Sequence, residues 1–304
     1  MIDQAEPDRD PLRAGRVCFA PGHRRRGAFS LLELLVVIGV IACVLGILLP
    51  TVKGALNAAY ALRGTVPEGQ PCAENTGPTG SLTPSGNITA SDGQVIENLD
   101  ITGSVNATGR TNVTIRNCRI TGSGPYGVRC DGASGIIIDK CEITGHKEAG
   151  VYGSGFTMTA SEIHHMGADG AKPQSNSVVQ GNWFHHLGTS DGSHADGCQV
   201  RGSDNIKIEG NFFDMSKDVL GTHSNAWLMI QDEGGDPAQN VTFVGNWCDG
   251  ANFGINGNSD KATCYASKNI IYRNSTQFGC SQGAVTWQPD NMDTGGKPMG
   301  EKEK

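Results

Sequence analysis

A six-residue motif recurs seven times from residue 96 onward, and this repeat constrains the fold more than any other feature of the chain. Each copy begins and ends on an apolar residue, and a Gly or Asn stands three positions ahead of it. Because these two residue types tolerate a left-handed backbone, they predict a turn before each copy. Successive copies are 19, 23, 20, 21, 29 and 35 residues apart. The copies begin at Ile96, Ile115, Ile138, Met158, Val179, Ile208 and Phe243.

The spacing of the repeat is typical of a parallel β-helix, in which each period of short strands and Gly or Asn corners forms one coil. A second strand is predicted seven residues after three of the copies, at Gly127, Gly150 and Gly170, and again at Gly197 after an insertion. The pattern resembles the right-handed β-helix of the pectate lyase-like superfamily over about residues 86–288. We therefore expect an all-β right-handed parallel β-helix, a solenoid of about eight coils, preceded by one long N-terminal membrane helix.

The charge of the chain narrows the class of partner. Only 18% of the residues are charged, and the formal charge is −7 at pH 7. A surface that binds nucleic acid needs an excess of Lys and Arg to neutralise phosphates. The chain has no such excess, so nucleic acid is not expected as a partner.

An apolar segment near the N-terminus follows three consecutive arginines, Arg24–Arg26. Residues 28–49 carry a single charge, Glu33, and about 22 helical residues span the ~30 Å hydrocarbon layer of a bilayer. The arginines hold their flank in the cytoplasm by the positive-inside rule, so the rest of the chain is expected outside it. A carboxylate inside a membrane is costly without a partner, so Glu33 is expected to have one.

The same segment resembles the prepilin-type segment of type IV pilins and type II secretion pseudopilins. The resemblance rests on the run Arg-Arg-Arg-Gly-Ala-Phe-Ser-Leu-Leu-Glu and on the closing Leu48-Leu49-Pro50. It implies that a prepilin peptidase cuts between Ala28 and Phe29 and methylates Phe29, and that Glu33 pairs with the amino terminus of a neighbouring subunit. The family has Gly where this chain has Ala28, which leaves cleavage after Gly27 open. The alternative for the whole segment is a simple membrane anchor.

These assignments divide the chain into five parts. The expected partners are the prepilin peptidase, the inner membrane and pilin or pseudopilin subunits, and the β-helix is expected in the periplasm or on the cell surface. The parts are a leader at 1–28, a membrane helix at 29–63, a Gly/Pro/Thr linker at 64–85, the β-helix at 86–288 and a disordered tail at 289–304.

One column of the repeat holds small polar residues. Stacked Asn side chains inside a solenoid satisfy backbone groups, so we interpret this column as scaffold and not as a site. In an oxidising compartment Cys118 can pair with Cys141, and two of Cys248, Cys264 and Cys280 can pair, whereas Cys130 and Cys198 lie too many coils apart. The column consists of Cys118, Cys141, Ser161, Asn182, Asn211 and Asn246.

Two Asp-Gly dipeptides open the second strand of adjacent coils, at Asp169 and Asp196. Stacking of the coils would place the two carboxylates about 5 Å apart. Like charges at that distance raise one pKa, which suits an acid–base pair, whereas a bound cation such as Ca²⁺ would keep both carboxylates ionised. The alternative is a structural turn, because Asp-Gly is a common turn dipeptide.

Further polar residues gather on the same coils. Two His-His pairs, His164–His165 and His185–His186, are expected to stack on the preceding turn, and His194 lies in the insertion before Asp196. Imidazoles that cap a repeated turn are the alternative for the His pairs. The candidate catalytic residues are Asp169, Asp196, Lys172, His194 and Arg201, with Asp169 and Asp196 also as calcium ligands. The candidate substrate-binding residues are Arg129, Tyr152, Gln199, His165 and His186.

A row of such groups along stacked coils suits an extended carbohydrate, and resemblance to the superfamily implies an acidic polysaccharide. For elimination, Lys172 or His194 would be the base, Arg201 or Arg129 would neutralise the uronate, and calcium would sit on the Asp pair. For hydrolysis, the two Asp side chains would act as acid and base or nucleophile. Epimerisation, binding without turnover and a structural pilin-like subunit remain open alternatives.

Overall fold

The computed structural model describes residues 68–216 and 223–304. The predicted leader and membrane helix, including Ala28, Phe29 and Glu33, lie outside the described residues. In the described part of the chain, no helix is long and apolar enough to cross a membrane.

In the described residues, twenty-eight short strands form three parallel sheets, and each coil contributes one strand to each sheet, except that the last contributes only β28. The strands are β1 (Thr83–Ser85), β2 (Ile88–Thr89), β3 (Val95–Glu97), β4 (Leu99–Thr102), β5 (Val105–Asn106), β6 (Thr114–Arg116), β7 (Arg119–Thr121), β8 (Tyr126–Cys130), β9 (Ile136–Asp139), β10 (Glu142–Thr144), β11 (Ala149–Gly153), β12 (Phe156–Thr159), β13 (Glu162–His164), β14 (Asp169–Pro173), β15 (Val178–Gln180), β16 (Trp183–His185), β17 (Ala195–Arg201), β18 (Asp204–Glu209), β19 (Phe212–Met215), β20 (Ser224–Gln231), β21 (Gln239–Val244), β22 (Trp247–Gly250), β23 (Phe253–Asn258), β24 (Cys264–Ser267), β25 (Ile270–Ile271), β26 (Ser281–Gly283), β27 (Val285–Trp287) and β28 (Met292–Asp293).

Each sheet takes every third strand, as a parallel β-helix requires. Sheet A has ten strands and runs from β1 to β28, sheet B has nine and runs from β2 to β26, and sheet C has nine and runs from β3 to β27. The sheets enclose a core in which like residues stack from coil to coil, for example Ile120 on Ile143 and Ile143 on Ile163. The solenoid therefore has more coils than the eight that the repeat predicted.

The Gly or Asn ahead of each repeat copy has the predicted backbone conformation. All seven positions have positive φ, from 55° at Asn112 and Asn240 to 71° at Gly93. Only Gly, and less readily Asn, adopts this region without strain. The turn prediction is confirmed, and this residue column sets the corner that leads into sheet C.

The polar column forms an internal ladder, which we call the Asn ladder. The side-chain oxygen of each Asn accepts a hydrogen bond from the backbone N–H one coil earlier, as Asn211 does from Asn182 at 3.0 Å. The side-chain nitrogen donates to a backbone carbonyl, as Asn211 does to Val179 at 2.9 Å. The scaffold interpretation is confirmed, and the ladder continues beyond the predicted column. Its members are Asn182, Asn211, Asn246, Asn269 and Asn291.

Both predicted ends of the β-helix are wrong. The linker prediction ended at residue 85, but β1 already pairs with β4, and Gly77 donates its backbone N–H to Ala160 at 2.9 Å. The tail prediction began at residue 289, but β28 pairs with β25, and Met299 is 2% exposed. The seven repeat copies do not extend into either segment, although Asn291 of the second segment continues the Asn ladder by stacking on Asn269.

The described cysteines are free thiols, so the predicted disulfides are not formed. Cys118 and Cys141 do stack on adjacent coils, and a hydrogen bond from the Cys141 thiol lowers the pKa of Cys118 to about 7. Cys248 and Cys264 belong to strands of different sheets, and Cys280 precedes a strand of the third. Strand pairing therefore does not stack these three cysteines on one another.

Candidate functional site

The predicted outward column lies on the outer face of sheet B. Strand pairing places Arg129 beside Tyr152 and Tyr152 beside Lys172 on three consecutive coils. The pairing of Ala171 with Cys198 brings Lys172 beside Gln199 on the fourth. Neighbouring strands are about 4.8 Å apart, so the four side chains form a regular row along the solenoid axis. We call Arg129, Tyr152, Lys172 and Gln199 the sheet B row.

The glycines of the Asp-Gly dipeptides are required by close packing. Both dipeptides lie inside strands, β14 and β17, so the structural-turn alternative is wrong. A Cβ added at Gly170 would clash with the ring of Phe184, and one at Gly197 with the ring of Phe213. Each strand thus sits close to the core at its Gly, which leaves the preceding Asp beside the outward row.

Asp169 and Asp196 are neighbours, as the stacking predicted. Asp169 Oδ1 accepts the backbone N–H of Asp196 at 2.8 Å, and Asp169 Oδ2 pairs with Lys172 Nζ at 3.1 Å. Asp196 Oδ1 accepts a hydrogen bond from Asn225 Nδ2 at 2.8 Å. The two residues are only 3% and 1% exposed, respectively. The carboxyl pair therefore lies beneath the surface of the face and not in the open groove that the sequence suggested.

Burial shifts the pKa values of the ionisable groups in this cluster, Asp169, Lys172 and Asp196. Burial, and then the charge of Asp169, raise the pKa of Asp196 well above its ordinary value. Burial also raises the pKa of Asp169, and attraction to Lys172 works against that shift. Burial lowers the pKa of Lys172, but the charge of Asp169, the hydrogen bond to it and the charge of Glu148 together outweigh burial, so the pKa is raised overall. Lys172 is thus an ammonium group, and Asp196 is the group of the pair that retains a proton most readily.

Replacing Asp196 with Asn should stabilise the protein at alkaline pH. A raised pKa means that the contribution of Asp196 is fully present below its unfolded value, about 3.9, and is lost as pH rises through its folded value. Asn does not ionise, so we expect Tm at pH 8 to rise by at least about 2–4 °C, the shift for 1 kcal/mol in a domain of this size. Thermal melts at pH 4 and pH 8 measure the difference, which should disappear at pH 4.

Asp290 is the matched control for this pH effect. Hydrogen bonds from the Ser267 hydroxyl and the Lys268 backbone lower its pKa, so Asp290→Asn should lose stability at pH 8 and not gain it. If Asp196→Asn and the parent protein had equal Tm values at both pH values, ionisation of Asp196 would not destabilise the folded protein, and the assignment would be contradicted.

Arg201, a predicted catalytic residue, is not brought to the carboxyl pair. It lies five residues beyond Asp196 in the same strand, about 16 Å in extended backbone, and its guanidinium pairs with Glu233 at 2.8 Å. Proximity in sequence suggested Arg201, but an extended strand separates residues quickly along its length. His194 is exposed in the insertion ahead of β17, whereas the carboxyl pair is buried.

The histidine pairs form a separate cluster at the carboxyl ends of strands β13 and β16 in sheet A. His165 stacks on His186 with ring centres 4.8 Å apart, as predicted, and both have positive φ at the turn. Each shares an Nδ1–Nδ1 hydrogen bond with the histidine before it, at 2.6 Å for His164 and 2.5 Å for His185. Those histidines contact Glu142 and Glu162 of sheet A. These hydrogen bonds join the imidazoles to one another and to glutamate side chains and not to backbone groups, so they give no support to the turn-capping alternative.

Sequence reasoning missed an aromatic partner and several polar ones. The ring of Tyr126 stacks on Tyr152 at 4.5 Å between centres, and the Arg129 guanidinium lies 5.9 Å from the centre of the Tyr152 ring. Tyr126 precedes Gly127 just as Asp169 precedes Gly170, so the repeat contained the signal for it. The repeat could not predict the contact of Asn225 with Asp196, because Asn225 lies at an irregularity in the pairing of β17 with β20.

Calcium does not fit the carboxyl pair. Lys172 already places a cation 3.1 Å from Asp169 Oδ2, and Asp196 Oδ1 is a hydrogen-bond acceptor for Asn225. Ca²⁺ takes six to eight oxygen ligands. Within residues 68–216 and 223–304, no three His, Cys, Asp or Glu side chains are grouped to hold a metal ion. The expected calcium site is therefore not supported by the residues present.

Comparison with known proteins identifies two parts of the chain. Residues 82–213 match the family described as right handed beta helix region, which indicates that the solenoid is right-handed. Residues 23–49 match the prokaryotic N-terminal methylation motif. The chain thus contains a right-handed β-helix region and a prepilin-type N-terminal motif, and that motif implies processing by a prepilin peptidase, export and membrane association. No curated protein matches the chain.

Several solved structures are similar to this chain at low sequence identity. An alginate lyase from Paenibacillus sp. str. FPU-7 is 18% identical, with 69% of this chain and 80% of that chain covered and a TM-score of 0.40. PfbA, a surface adhesin of Streptococcus pneumoniae, is 12% identical, with 65% and 62% covered and a TM-score of 0.46. The tailspike protein of E. coli bacteriophage HK620, in complex with a pentasaccharide, is 13% identical, with 70% and 52% covered and a TM-score of 0.33.

Proposed function

We propose that this protein, exported and held by its N-terminal segment, binds an extended polysaccharide along the outer face of sheet B. One observation carries the proposal. The sheet B row presents hydrogen-bonding and aromatic groups on four consecutive coils at a constant spacing, with Tyr126 stacked beside Tyr152. A long ligand with repeated hydroxyl groups can meet such a row at every coil, whereas a compact ligand would use one or two positions.

Tyr152→Ala should weaken polysaccharide binding at least about tenfold, or about 1.4 kcal/mol. The substitution removes the ring that stacks on Tyr126 and the hydroxyl that accepts a hydrogen bond from Gln174 at 3.3 Å. Affinity electrophoresis of the full chain through gels that contain single polysaccharides measures the change. Tyr265 is a matched control because it is 43% exposed on the outer face of sheet C. An equal loss in Tyr265→Ala would assign binding to another surface.

Hydrolysis is the second candidate function, and the carboxyl pair favours it. Asp196 retains a proton while Lys172 and the Asp196 backbone N–H favour the ionised form of Asp169. One protonated and one ionised carboxyl group about 5 Å apart are the pair that retaining glycoside hydrolysis uses. Elimination lacks this support, since Lys172 is protonated and Arg201 is paired with Glu233. Because the pair is buried, cleavage would require the bound glycan to open access to it.

Release of new reducing ends from a bound polysaccharide tests the catalytic candidate. We expect Asp196→Asn to lower that release at least about a hundredfold while binding is kept. Products with unsaturated ends would contradict hydrolysis and indicate elimination. Binding without any product, in the parent protein as in Asp196→Asn, would leave the protein as a binding module. A protein that binds no polysaccharide but forms filaments would correspond to the structural-subunit alternative.

A further inference from the structure

The cations of the sheet B row are already neutralised by the protein. Arg129 is ion-paired with Asp131. Lys172 Nζ lies 3.1 Å from Asp169 Oδ2 and 3.6 Å from Glu148 Oε2. A uronate would have to displace a carboxylate to pair with Lys172, and it would leave that carboxylate unpaired. At Arg129 it would share the guanidinium with Asp131, whose charge repels it.

The local charge balance of this face is not positive. The row and its ion-pair partners contribute two cations and the carboxyl groups of Asp131, Glu148, Asp169 and Asp196. Lys147, exposed in the turn before β11, raises the cations to three. Even with Asp196 protonated, carboxylates and cations are equal in number. A face that recognises a polyanion needs a surplus of cations, as charge complementarity between partners requires.

The net charge of the whole β-helix unit also disfavours the binding of a polyanion. Residues 67–304 contain 26 of the 31 acidic side chains of the protein and 16 of its 24 basic ones, a formal charge of −10. The less negative value for the full chain reflects the arginines near its N-terminus. A unit with this charge repels an approaching polyanion at low ionic strength.

The remaining groups of the row are those that bind neutral sugars. Beyond Gln199 the row continues through Met229, Asn256 and Gln282 on the next three coils. Gln282 Nε2 donates to Asn256 Oδ1 at 2.6 Å, which fixes the orientation of both amides. Amides and the tyrosine hydroxyls donate and accept hydrogen bonds with sugar hydroxyl groups, and they carry no charge.

On the basis of the proposed binding function, we infer that the ligand is a neutral polysaccharide and not a polyuronate. This reverses the acidic substrate that the sequence suggested. That expectation counted Lys172 and Arg129 as free cations, whereas the fold places a carboxylate beside each.

Matched pairs of polymers test the inference with the full chain. Polygalacturonate, polymannuronate and polyglucuronate are each compared with the same polymer after chemical reduction of its carboxyl groups, by affinity electrophoresis at 20 mM and 500 mM NaCl. We expect the neutral member of at least one pair to bind at least about tenfold more tightly at 20 mM, and the difference to shrink at 500 mM because charges are screened. Tighter binding of an acidic member at 20 mM that salt weakens would overturn the inference.

Two further outcomes separate this inference from the proposed function. If neither member of any pair, nor a neutral glucan, mannan, galactan or xylan, is retained, the binding function itself fails. If a neutral polymer is retained, Asp131→Asn combined with Glu148→Gln should raise the affinity for the acidic member at least about tenfold, because it frees Arg129, removes one of the two carboxylates beside Lys172 and makes the charge of the face positive. The same double variant should leave neutral binding within about twofold. No gain for the acidic member would show that ion pairing is not what excludes it.

Discussion

Replacing Asn211 with Ala should lower the free energy of unfolding by about 3–5 kcal/mol, among the largest effects expected of any single change in this protein. Asn211 is fully buried in the Asn ladder. Its side chain accepts hydrogen bonds from the backbone and side chain of Asn182, and donates to the Val179 carbonyl and to Asn246 Oδ1. Ala would leave these partners unpaired inside a core that water does not reach. Urea unfolding of the full chain, followed by circular dichroism, measures the change.

A substitution on the adjacent coil provides the control for Asn211→Ala. Gln180 is exposed in β15, so Gln180→Ala should change the free energy of unfolding by no more than about 0.5 kcal/mol. A cost below about 1 kcal/mol for Asn211→Ala would mean that water or backbone movement replaces the ladder, and that the ladder is not a main source of stability.

Lys172→Met should destabilise the protein by about 3 kcal/mol, because it leaves the buried carboxylate of Asp169 without its cation. The side chains of Lys172 and Asp169 are 19% and 4% exposed, so solvent does little to replace the lost partner. Combining it with Asp169→Asn should reduce the cost to about 1 kcal/mol or less, since Asn can still accept the backbone N–H of Asp196. Urea unfolding of the two single variants and the double variant gives the coupling energy.

The pH dependence of Lys172→Met provides a second test. Burial raises the pKa of Asp169, and without Lys172 the hydrogen bond from the Asp196 backbone N–H is left to oppose that shift. The cost of the variant should therefore be present at pH 8 and disappear as pH falls toward the unfolded value of about 3.9, where Asp169 is protonated in both states. A cost independent of pH would indicate lost packing of the lysine stem and not an unpaired charge.

The sequence was informative wherever like residues stack. The Gly and Asn corners, the Asn ladder and the row from Arg129 to Gln199 all follow from the repeat, because the period converts positions in the chain into neighbours in space. The adjacency of Asp169 and Asp196 follows in the same way. The structural-turn interpretation of the Asp-Gly dipeptides was wrong, because Gly170 and Gly197 are needed for close packing against the core.

Features without a repeat could not be predicted. The packing of Gly77 on the solenoid and the contact of Asn225 with Asp196 each depend on a single local contact. Burial of the carboxyl pair and ion pairing of Arg201 with Glu233 depend on where insertions fold back, and residue type alone does not specify this.

The direction of the Asn ladder has a consequence for how the chain acquires its structure. The backbone N–H of Asn182 is served by Asn211, that of Asn211 by Asn246, and so on to Asn291, so each coil is completed by a residue that leaves the ribosome later. During synthesis and passage across the membrane, the most recent coil is always unfinished, and ordering must advance from the amino-terminal coils toward the carboxyl end. Truncation before Asn291 would strip the last acceptor from Asn269, and amide hydrogen exchange would then quicken from that end of the solenoid inward.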